Sequence, residues 1–185
     1  ESGPGSGLML ATVCDSRGTG VSEAHRPMGA GPVRVRAEPI STNTAAKAWA
    51  VEGAPHGATV AALRQTGGKG RLGRQFQSPP GGLYMSVVLR PNKNLENPTL
   101  ATAATAVAAC QAVQALCGLQ LGIKWVNDLY FNNKKCCGIL CEAGTGLETG
   151  QIEYIVAGIG INYTTKPAEF APDVSMVATS LFPDR

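Results

Sequence analysis

The sequence has few residues of several types, and each shortage limits what the chain can do. Aromatic residues make up 5% of the 185 residues, so Ala, Val, Leu and Ile must fill most of any core. The only histidines are His25 and His56, and neither forms a convincing pair with Ser or Cys for nucleophilic catalysis. The net charge of +3 is too small to indicate nucleic acid, so we expect no nucleic-acid partner.

The chain also has no obvious membrane segment. A membrane-spanning helix needs about 18 or more consecutive apolar residues. The nearest run is residues 101–119, which is rich in Ala and Thr and contains two Gln. We predict a buried helix of a soluble domain here, and we expect no membrane partner.

The six cysteines lie at positions 14, 110, 117, 136, 137 and 141. No Cys-x-x-Cys pair or nearby His supports a zinc site, and the chain is not a tiny secreted scaffold that needs disulfides. Cys137 and Cys141 alternate with apolar residues in a strand-like run. We interpret the cysteines as small buried hydrophobic residues in a reducing compartment, either the cytoplasm or an organelle matrix such as a plastid or mitochondrion.

The length predicts one main domain. Residues 1–32 are rich in Gly, Ser and Pro and are predicted to be a poorly ordered extension, which leaves residues 33–185 as the domain. Strands outnumber helices and are joined mostly by short loops, so we predict an α+β fold with a mixed, largely antiparallel sheet and packed helices. Predicted strands are 33–37, 59–63, 83–89, 119–125, 129–131, 137–142 and 152–156, the last continuing toward 162; predicted helices begin at the caps Ser41–Thr44 and Asn97-Pro98 and near Val174.

Residues 68–74 read Gly-Lys-Gly-Arg-Leu-Gly-Arg and match the spacing G-x-G-x-x-G. A dinucleotide site would need a helix to start at the third glycine, but Pro79-Pro80 follow too soon. The chain has no His-Arg-Asp or Asp-Phe-Gly tripeptide, which excludes a protein kinase, and no phosphate-loop pattern. Glycines interleaved with Lys69, Arg71 and Arg74 favour a loop that wraps a small anionic ligand. The alternative is a flexible basic surface loop.

Residues 124–130 read Lys-Trp-Val-Asn-Asp-Leu-Tyr and place polar groups at the end of a buried strand. Asn127 and Asp128 could orient a cation, a ribose or a magnesium ion, or could form a simple turn. Lys135 follows in a polar segment and could equally be a solvated turn lysine. Since core strands join these elements to residues 158–162, Gly-Ile-Gly-Ile-Asn, their ends form a plausible cleft.

These segments together resemble the biotin–protein ligase family, with order and spacing that fit from about Ala37 onward. The matching segments are Ser41-Thr42-Asn43, Gln65, Gly68 to Arg74, Ser78-Pro79, Gly82 to Ser86, Lys124 to Tyr130, Lys135 with Gly138-Ile139-Leu140, Gly158 to Asn162, and Ala178 to Leu181. The resemblance implies a fold related to class II aminoacyl-tRNA synthetases. It also implies an enzyme that joins biotin to AMP from ATP and passes biotin to a carrier lysine.

The resemblance further implies roles for individual residues. Lys135 and Arg71 would be catalytic, because they neutralise the biotin carboxylate and the α-phosphate as these anions approach. A magnesium ion would arrive with ATP, near Asp128. The biotin contacts would be Ser41, Thr42, Asn43, Gln65, Lys69, Gly70, Arg71, Lys135 and Gly138; the ATP contacts would be Arg71, Arg74, Phe76, Asn127, Asp128 and Asn162.

The sequence departs from the family pattern in places. Val126 stands where Pro is usual, Phe76 where Trp is common and Lys69 where Arg is frequent, and none of these changes removes a catalytic charge. The chain ends at Arg185, where family members usually continue through a small C-terminal β domain. We therefore expect a truncated catalytic domain, and no repressor function because no winged helix-turn-helix is found.

The implied partner is the biotin carboxyl-carrier domain of a carboxylase, and a homodimer is compatible with the resemblance. Two other functions stay open. A lipoate or octanoate ligase shares the fold and a related lysine, and a non-catalytic domain could serve as a structural or interaction subunit. The loop at residues 68–74 favours biotin over lipoate, and retention of Arg71, Asp128 and Lys135 favours an enzyme.

Overall fold

A computed structural model describes residues 31–91, 99–146, 148 and 150–185 of the chain. Seven strands form one sheet in the order β1-β2-β3-β7-β6-β5-β4, with β1 and β2 parallel and all other neighbours antiparallel. The strands are β1 (Val33–Arg36), β2 (Thr59–Ala62), β3 (Gly82–Leu89), β4 (Gly122–Lys124), β5 (Asp128–Phe131), β6 (Lys134–Thr145) and β7 (Ile152–Asn162); the helices are α1 (Thr42–Val51), α2 (Thr99–Cys117) and α3 (Pro172–Ser175). The predicted α+β class, with a mixed and largely antiparallel sheet, is confirmed.

Some sequence predictions lie outside the described residues. These are the extension up to residue 30, Cys14, and the helix start at Asn97-Pro98. Gly31 and Pro32, the last two residues of the predicted extension, are described. The Thr59 N–H donates to the Pro32 carbonyl at 2.9 Å, so this part of the chain runs directly into the sheet.

The two long helices lie on opposite faces of the sheet, as the residues of β7 show. Successive strand residues point to opposite sides of a sheet. Tyr154 and Val156 pack with Trp49 of α1. Ile161, an odd number of residues away, packs with Val113 of α2. We call these the α1 face and the α2 face.

The cysteines behave as apolar residues of the α2 face. Cys136 and Cys137 are fully buried in the cluster under α2, and the five described cysteines are free. Burial raises the pKa of the Cys136 thiol to about 12 and raises that of Cys137 strongly, so both stay protonated at neutral pH. The prediction that these two are small buried hydrophobic residues is confirmed.

Among the described residues, α2 is the one helix whose length and apolar composition would suffice to cross a membrane, two criteria that core helices also meet. It packs against β4 to β7, with Ala106, Ala109 and Val113 buried. Leu100 and Val107 on the same helix are exposed. The predicted burial of this helix is therefore correct for one face only.

The hairpin between β5 and β6 is tighter than predicted. Asn132 and Asn133 both have positive φ, 49° and 61°, as a two-residue turn of type I′ requires. Because two residues complete the turn, Lys134 and Lys135 pair with β5 and belong to β6. The predicted polar turn over residues 132–135 was wrong for its second half.

Two other predicted elements differ. The strand over residues 119–125 is confined to Gly122–Lys124, because Leu119 and Leu121 pack instead into the α2-side core. The last helix begins at Pro172 rather than near Val174 and ends at Ser175, because Ala178 forms a bridge with Lys135 and the Thr179 N–H donates to the Lys135 carbonyl.

Candidate active site

A cleft opens on the α1 face between the start of α1, the loop at residues 68–74 and the centre of β6 and β7. Its empty volume is about 450 Å³, including the solvent at its mouth. It is lined by Ser41, Thr42, Asn43, Gln65, Lys69, Gly70, Arg71, Phe76, Asn127, Lys135, Gly138, Ile139, Leu140, Gly158, Ile159 and Gly160.

The floor of the cleft is a patch of sheet without side chains, which we call the glycine floor: Gly138, Gly158 and Gly160. Gly138 and Gly160 are direct partners across β6 and β7. The Phe76 ring lies over both, since a Cβ added at either position would come within 2.7 Å of it. The Phe76 ring therefore rests directly on the backbone, and a side chain at either position would displace it.

Ser41 presents an uncommitted hydroxyl at the start of α1. It is the N-cap residue of the helix, yet its side chain makes no capping hydrogen bond. Its residue is only 3% exposed and lines the cleft. N-cap hydroxyls usually bond to the helix backbone, whereas this one has no hydrogen-bond partner in the described part of the chain and can bond a ligand in the cleft.

Thr42 and Gln65 join α1 to the chain that leads into the basic loop. The Thr42 N–H donates to Gln65 Oε1 at 2.7 Å, and Gln65 Nε2 donates to Ser78 Oγ at 2.8 Å. The predicted biotin contact Gln65 is thus oriented by two neighbours before any ligand binds.

The basic loop is a narrow hairpin rather than the start of a helix. The Phe76 N–H donates to the Gly68 carbonyl at 2.9 Å, and the Gly70 N–H donates to the Arg74 carbonyl at 2.7 Å. Its tip is a single 3₁₀ turn, Arg71–Gly73, with Leu72 at φ 57° and 89% exposed. Lys69 and Arg71 line the cleft, so these cations are not confined to the outer surface as the alternative of a basic surface loop would require.

A chain of polar contacts joins the basic loop to β6. Arg71 Nη1 donates to Asn127 Oδ1 at 3.1 Å, and Asn127 Nδ2 donates to Asp128 Oδ1 at 2.9 Å. The Lys135 ammonium lies 2.7 Å from the same carboxylate oxygen. Lys135 Nζ also lies 5.8 Å from the centre of the Phe76 ring. The two predicted catalytic cations therefore share one wall of the cleft and are linked through Asn127 and Asp128.

The structure brings together all the predicted site residues except three. Asp128 does not line the cleft but pairs with Lys135. Arg74 is exposed at the base of the loop. Asn162 is buried at the end of β7, where its Nδ2 donates to the Thr179 carbonyl at 3.1 Å and its Oδ1 has no partner among the described residues.

Sequence reasoning did not select five cleft-lining residues as contacts. They are Ile139, Leu140, Gly158, Ile159 and Gly160. The alternation Gly-Ile-Gly at 158–160 was a usable signal, because glycines two apart on a strand share one face. Whether this shared face is covered by α1 or by α2 depends on where the helices pack, which the sequence pattern does not show.

The described residues do not form a magnesium site by themselves. They include no cluster of three or more His, Cys, Asp or Glu side chains that could hold a metal. Asp128 Oδ1 is already bonded by Lys135 and Asn127. A magnesium ion here would depend on phosphate oxygens for most of its ligands, as is usual with nucleotides.

The cleft residues lie inside a region with known relatives. The Biotin/lipoate A/B protein ligase family matches residues 38–162, a range that contains every residue lining the cleft. The chain belongs to this family. The predicted resemblance is therefore confirmed, while the roles of the single side chains stay predictions.

Individual family members agree with this assignment. The bifunctional ligase/repressor BirA of Bacillus subtilis is 39% identical over 142 residues, which are 76% of this chain and 43% of that protein. The solved structure of a biotin protein ligase from Aquifex aeolicus in complex with biotin and ATP is 32% identical with a TM-score of 0.68, covering 80% of this chain and 59% of that one. A Leishmania major biotin protein ligase in complex with biotinyl-5-AMP is 28% identical with a TM-score of 0.56, over 80% of this chain and 62% of that one.

These solved structures also confirm the predicted relation to the class II synthetase-like fold of biotin protein ligases. The chain spans less than two thirds of the length of each of these three relatives. The similarity therefore covers a part of each of these three relatives and not the whole of it.

Proposed function

We propose that this chain is the catalytic domain of an ATP-dependent biotin–protein ligase. The observation that carries the proposal is the placement of Arg71 and Lys135 on one wall of a cleft that the Phe76 ring also lines. A bicyclic ring can pack beside the Phe76 ring while its acidic tail and a phosphate meet the two cations. The Aquifex aeolicus relative, named as a complex with biotin and ATP, supports this choice of ligands.

In the first proposed step, a biotin carboxylate oxygen attacks the α-phosphorus of ATP. The new O–P bond forms as the bond to pyrophosphate breaks, which yields biotinyl-AMP. Two unit charges 4 Å apart repel by about 4 kcal/mol near a protein surface. Lys135 and Arg71 offset this repulsion and stabilise the charge on the α-phosphate, so the protein needs no covalent nucleophile of its own.

In the second proposed step, the amine of a carrier lysine attacks the acyl carbon and AMP leaves. The acyl-adenylate intermediate is prone to hydrolysis until then. Closing the basic loop, residues 68–74, over the cleft would exclude water and protect it. The partner we propose is the carrier domain of a carboxylase, in line with relatives named biotin–[acetyl-CoA-carboxylase] ligase. Magnesium would accompany ATP and reduce the charge on its phosphates.

The nucleotide would lie beside Asn127 and the far end of β7. Asn162 supports this placement, because its buried Oδ1 lacks a hydrogen-bond donor among the described residues. An N–H donor from the ligand would satisfy it. Phe76 offers a ring that can pack against biotin or the base.

The deciding experiment is biotin-dependent exchange of labelled pyrophosphate into ATP, on the purified chain with magnesium. Lipoate and octanoate are the parallel substrates. Exchange with biotin alone supports the proposal, whereas exchange with lipoate or octanoate alone would move the chain to the other branch of its family. No exchange with any acid, together with no rise in melting temperature on adding biotin or ATP, would favour a non-catalytic domain.

A further inference from the structure

Asn43 lines the cleft, but its side chain is fully occupied by the protein. Its two amide hydrogens go to the Leu140 carbonyl at 3.1 Å and to Glu142 Oε2 at 2.9 Å. Its Oδ1 accepts from the Ser86 hydroxyl at 2.6 Å. The side chain therefore connects α1 to β6 and to β3, and no donor remains for a ligand.

Gly158 provides the space for this connection. A Cβ at that position would overlap the Asn43 side-chain oxygen, and so the amide lies directly against β7. Asn43 thus contacts the three central strands at one point. It is the second residue of α1 and lies next to Thr42 and two residues after Ser41, whose hydroxyl is free.

Glu142 supports Asn43 from outside the cleft. One carboxylate oxygen accepts from Asn43, and the other lies 3.0 Å from the Lys47 ammonium one turn further along α1. Two positions of the helix are thereby bound to one strand residue. Burial raises the pKa of this carboxyl, but hydrogen bonds from Asn43 and Lys47, together with the nearby charges of Lys47 and Lys69, outweigh burial and keep the pKa below its ordinary value.

We infer that Glu142 is a positioning residue for the acid-binding part of the cleft: through Asn43 it holds the first turn of α1, and with it Ser41 and Thr42, at a set distance from the glycine floor. This inference rests on the proposed function. Without Glu142, one amide hydrogen of Asn43 loses its acceptor at a buried position, and the Ser41 end of the helix can shift. A hydrogen bond to a charged group is worth about tenfold to 150-fold in an equilibrium constant.

Three variants separate positioning from charge. Glu142→Ala removes both contacts, Glu142→Gln keeps an acceptor for Asn43 but loses the ion pair, and Lys47→Ala loses the ion pair alone. We expect Glu142→Ala to raise the KM for biotin about tenfold in pyrophosphate exchange, with kcat and the KM for ATP within about twofold. Glu142→Gln and Lys47→Ala should stay within about threefold of the wild type, as should Glu153→Gln, an exposed acid on β7.

Two results would overturn the inference. Equal effects of the Ala and Gln variants would mean that the charge matters rather than the contact with Asn43. A lower melting temperature of the Ala variant with an unchanged KM for biotin would mean that Glu142 supports the fold alone.

A ligand-free measurement keeps the inference separate from the proposed function. Glu142→Ala should speed hydrogen exchange of the Thr42 amide, which donates to Gln65, about tenfold while Glu142→Gln does not. If the wild type shows no biotin-dependent exchange of pyrophosphate, the proposed function fails. The hydrogen-exchange rate of the Thr42 amide then still tests whether Glu142 positions the start of α1. Unchanged amide exchange in the Ala variant would refute that role.

Discussion

The two sides of the sheet beneath α1 and α2 use different chemistry at their closest contacts. Under the start of α1, polar side chains and glycines meet, such as Asn43 with Gly158 and Glu142. Under α2 the cluster is apolar, and it includes Val113 and Cys137. Polar networks hold one geometry, whereas apolar packing adds stability with less directional demand. The difference implies that ligand geometry and global stability are controlled by separate regions and can be altered independently.

The largest expected effect comes from substituting Lys135, a cation that lines the cleft on the α1 face. We expect Lys135→Ala to lower the rate of biotin-dependent pyrophosphate exchange by about 100-fold or more, because the charge that offsets the α-phosphate is lost. The melting temperature should change little, since the ammonium is partly exposed. Lys134→Ala is the matched control: this neighbour is exposed, and its variant should keep its rate. Equal losses in both variants would remove Lys135 from the site.

The reverse result is expected on the α2 face. Val113→Ala removes two buried methyl groups and should lower the free energy of unfolding by about 2 kcal/mol, with the Kd for biotin unchanged. Val107→Ala on the exposed side of the same helix should stay within about 0.5 kcal/mol. Urea denaturation with isothermal titration of biotin measures both quantities. A large change in the Kd for the Val113 variant would show that the two regions are coupled.

The glycine floor offers a finer test. A Cβ at Gly160 would lie 2.6 Å from the Phe76 ring, so Gly160→Ala must displace that ring, which lines the cleft. We expect about tenfold weaker biotin binding, with a smaller loss of stability because Phe76 sits on a loop. Gly122→Ala places its methyl at an ordinary contact distance on β4, 4.0 Å from the Tyr130 carbonyl oxygen, and should bind biotin normally. Normal binding by the Gly160 variant would contradict a ligand that packs beside the Phe76 ring.

The smallest expected effect is a pH dependence. Because the folded-state pKa of Glu142 is below its ordinary value, its stabilising contribution is present above the unfolded pKa and is lost as pH falls through the folded pKa. The wild type should therefore be slightly more stable than Glu142→Gln at about pH 6, and the two should converge by about pH 3. Thermal melts across this range measure the difference. If the stability advantage of the wild type over Glu142→Gln grew as the pH fell, the charged carboxylate of Glu142 would be destabilised in the folded state.

Much of the site was predictable from local patterns. The run from Gly68 to Arg74 indicated a wrapped anion, and Lys135 was selected with Arg71 as its partner. Both side chains line the same cleft. The two positions could be paired because the resemblance to the family includes both of them, while their roles toward a ligand stay predictions.

Other features could not be predicted from local patterns. The position of Lys135 on a strand depends on a two-residue turn at Asn132-Asn133, where a longer polar loop fitted the sequence equally well. The Asn43 amide donates to Glu142 and to the carbonyl of Leu140, about 100 residues later in the chain, and no local pattern indicates these bonds. Sequence patterns describe neighbours along the chain, whereas these bonds join strands that meet only after folding.

The sequence by itself determined the alternation of strands, the helix α1 with Ser41 as its cap, the basic loop and the family to which the chain belongs. Each of these follows from local propensity, from the period of apolar residues or from a motif. Only the tertiary structure decided that Gly138, Gly158 and Gly160 form one glycine floor on the α1 face, under Phe76 and Asn43, and that Asp128 and Glu142 each hold a cleft residue from outside the cleft. The physical reason is that the face on which a strand residue lies, and the residue it pairs with, depend on strand order and register. These result from packing the whole chain.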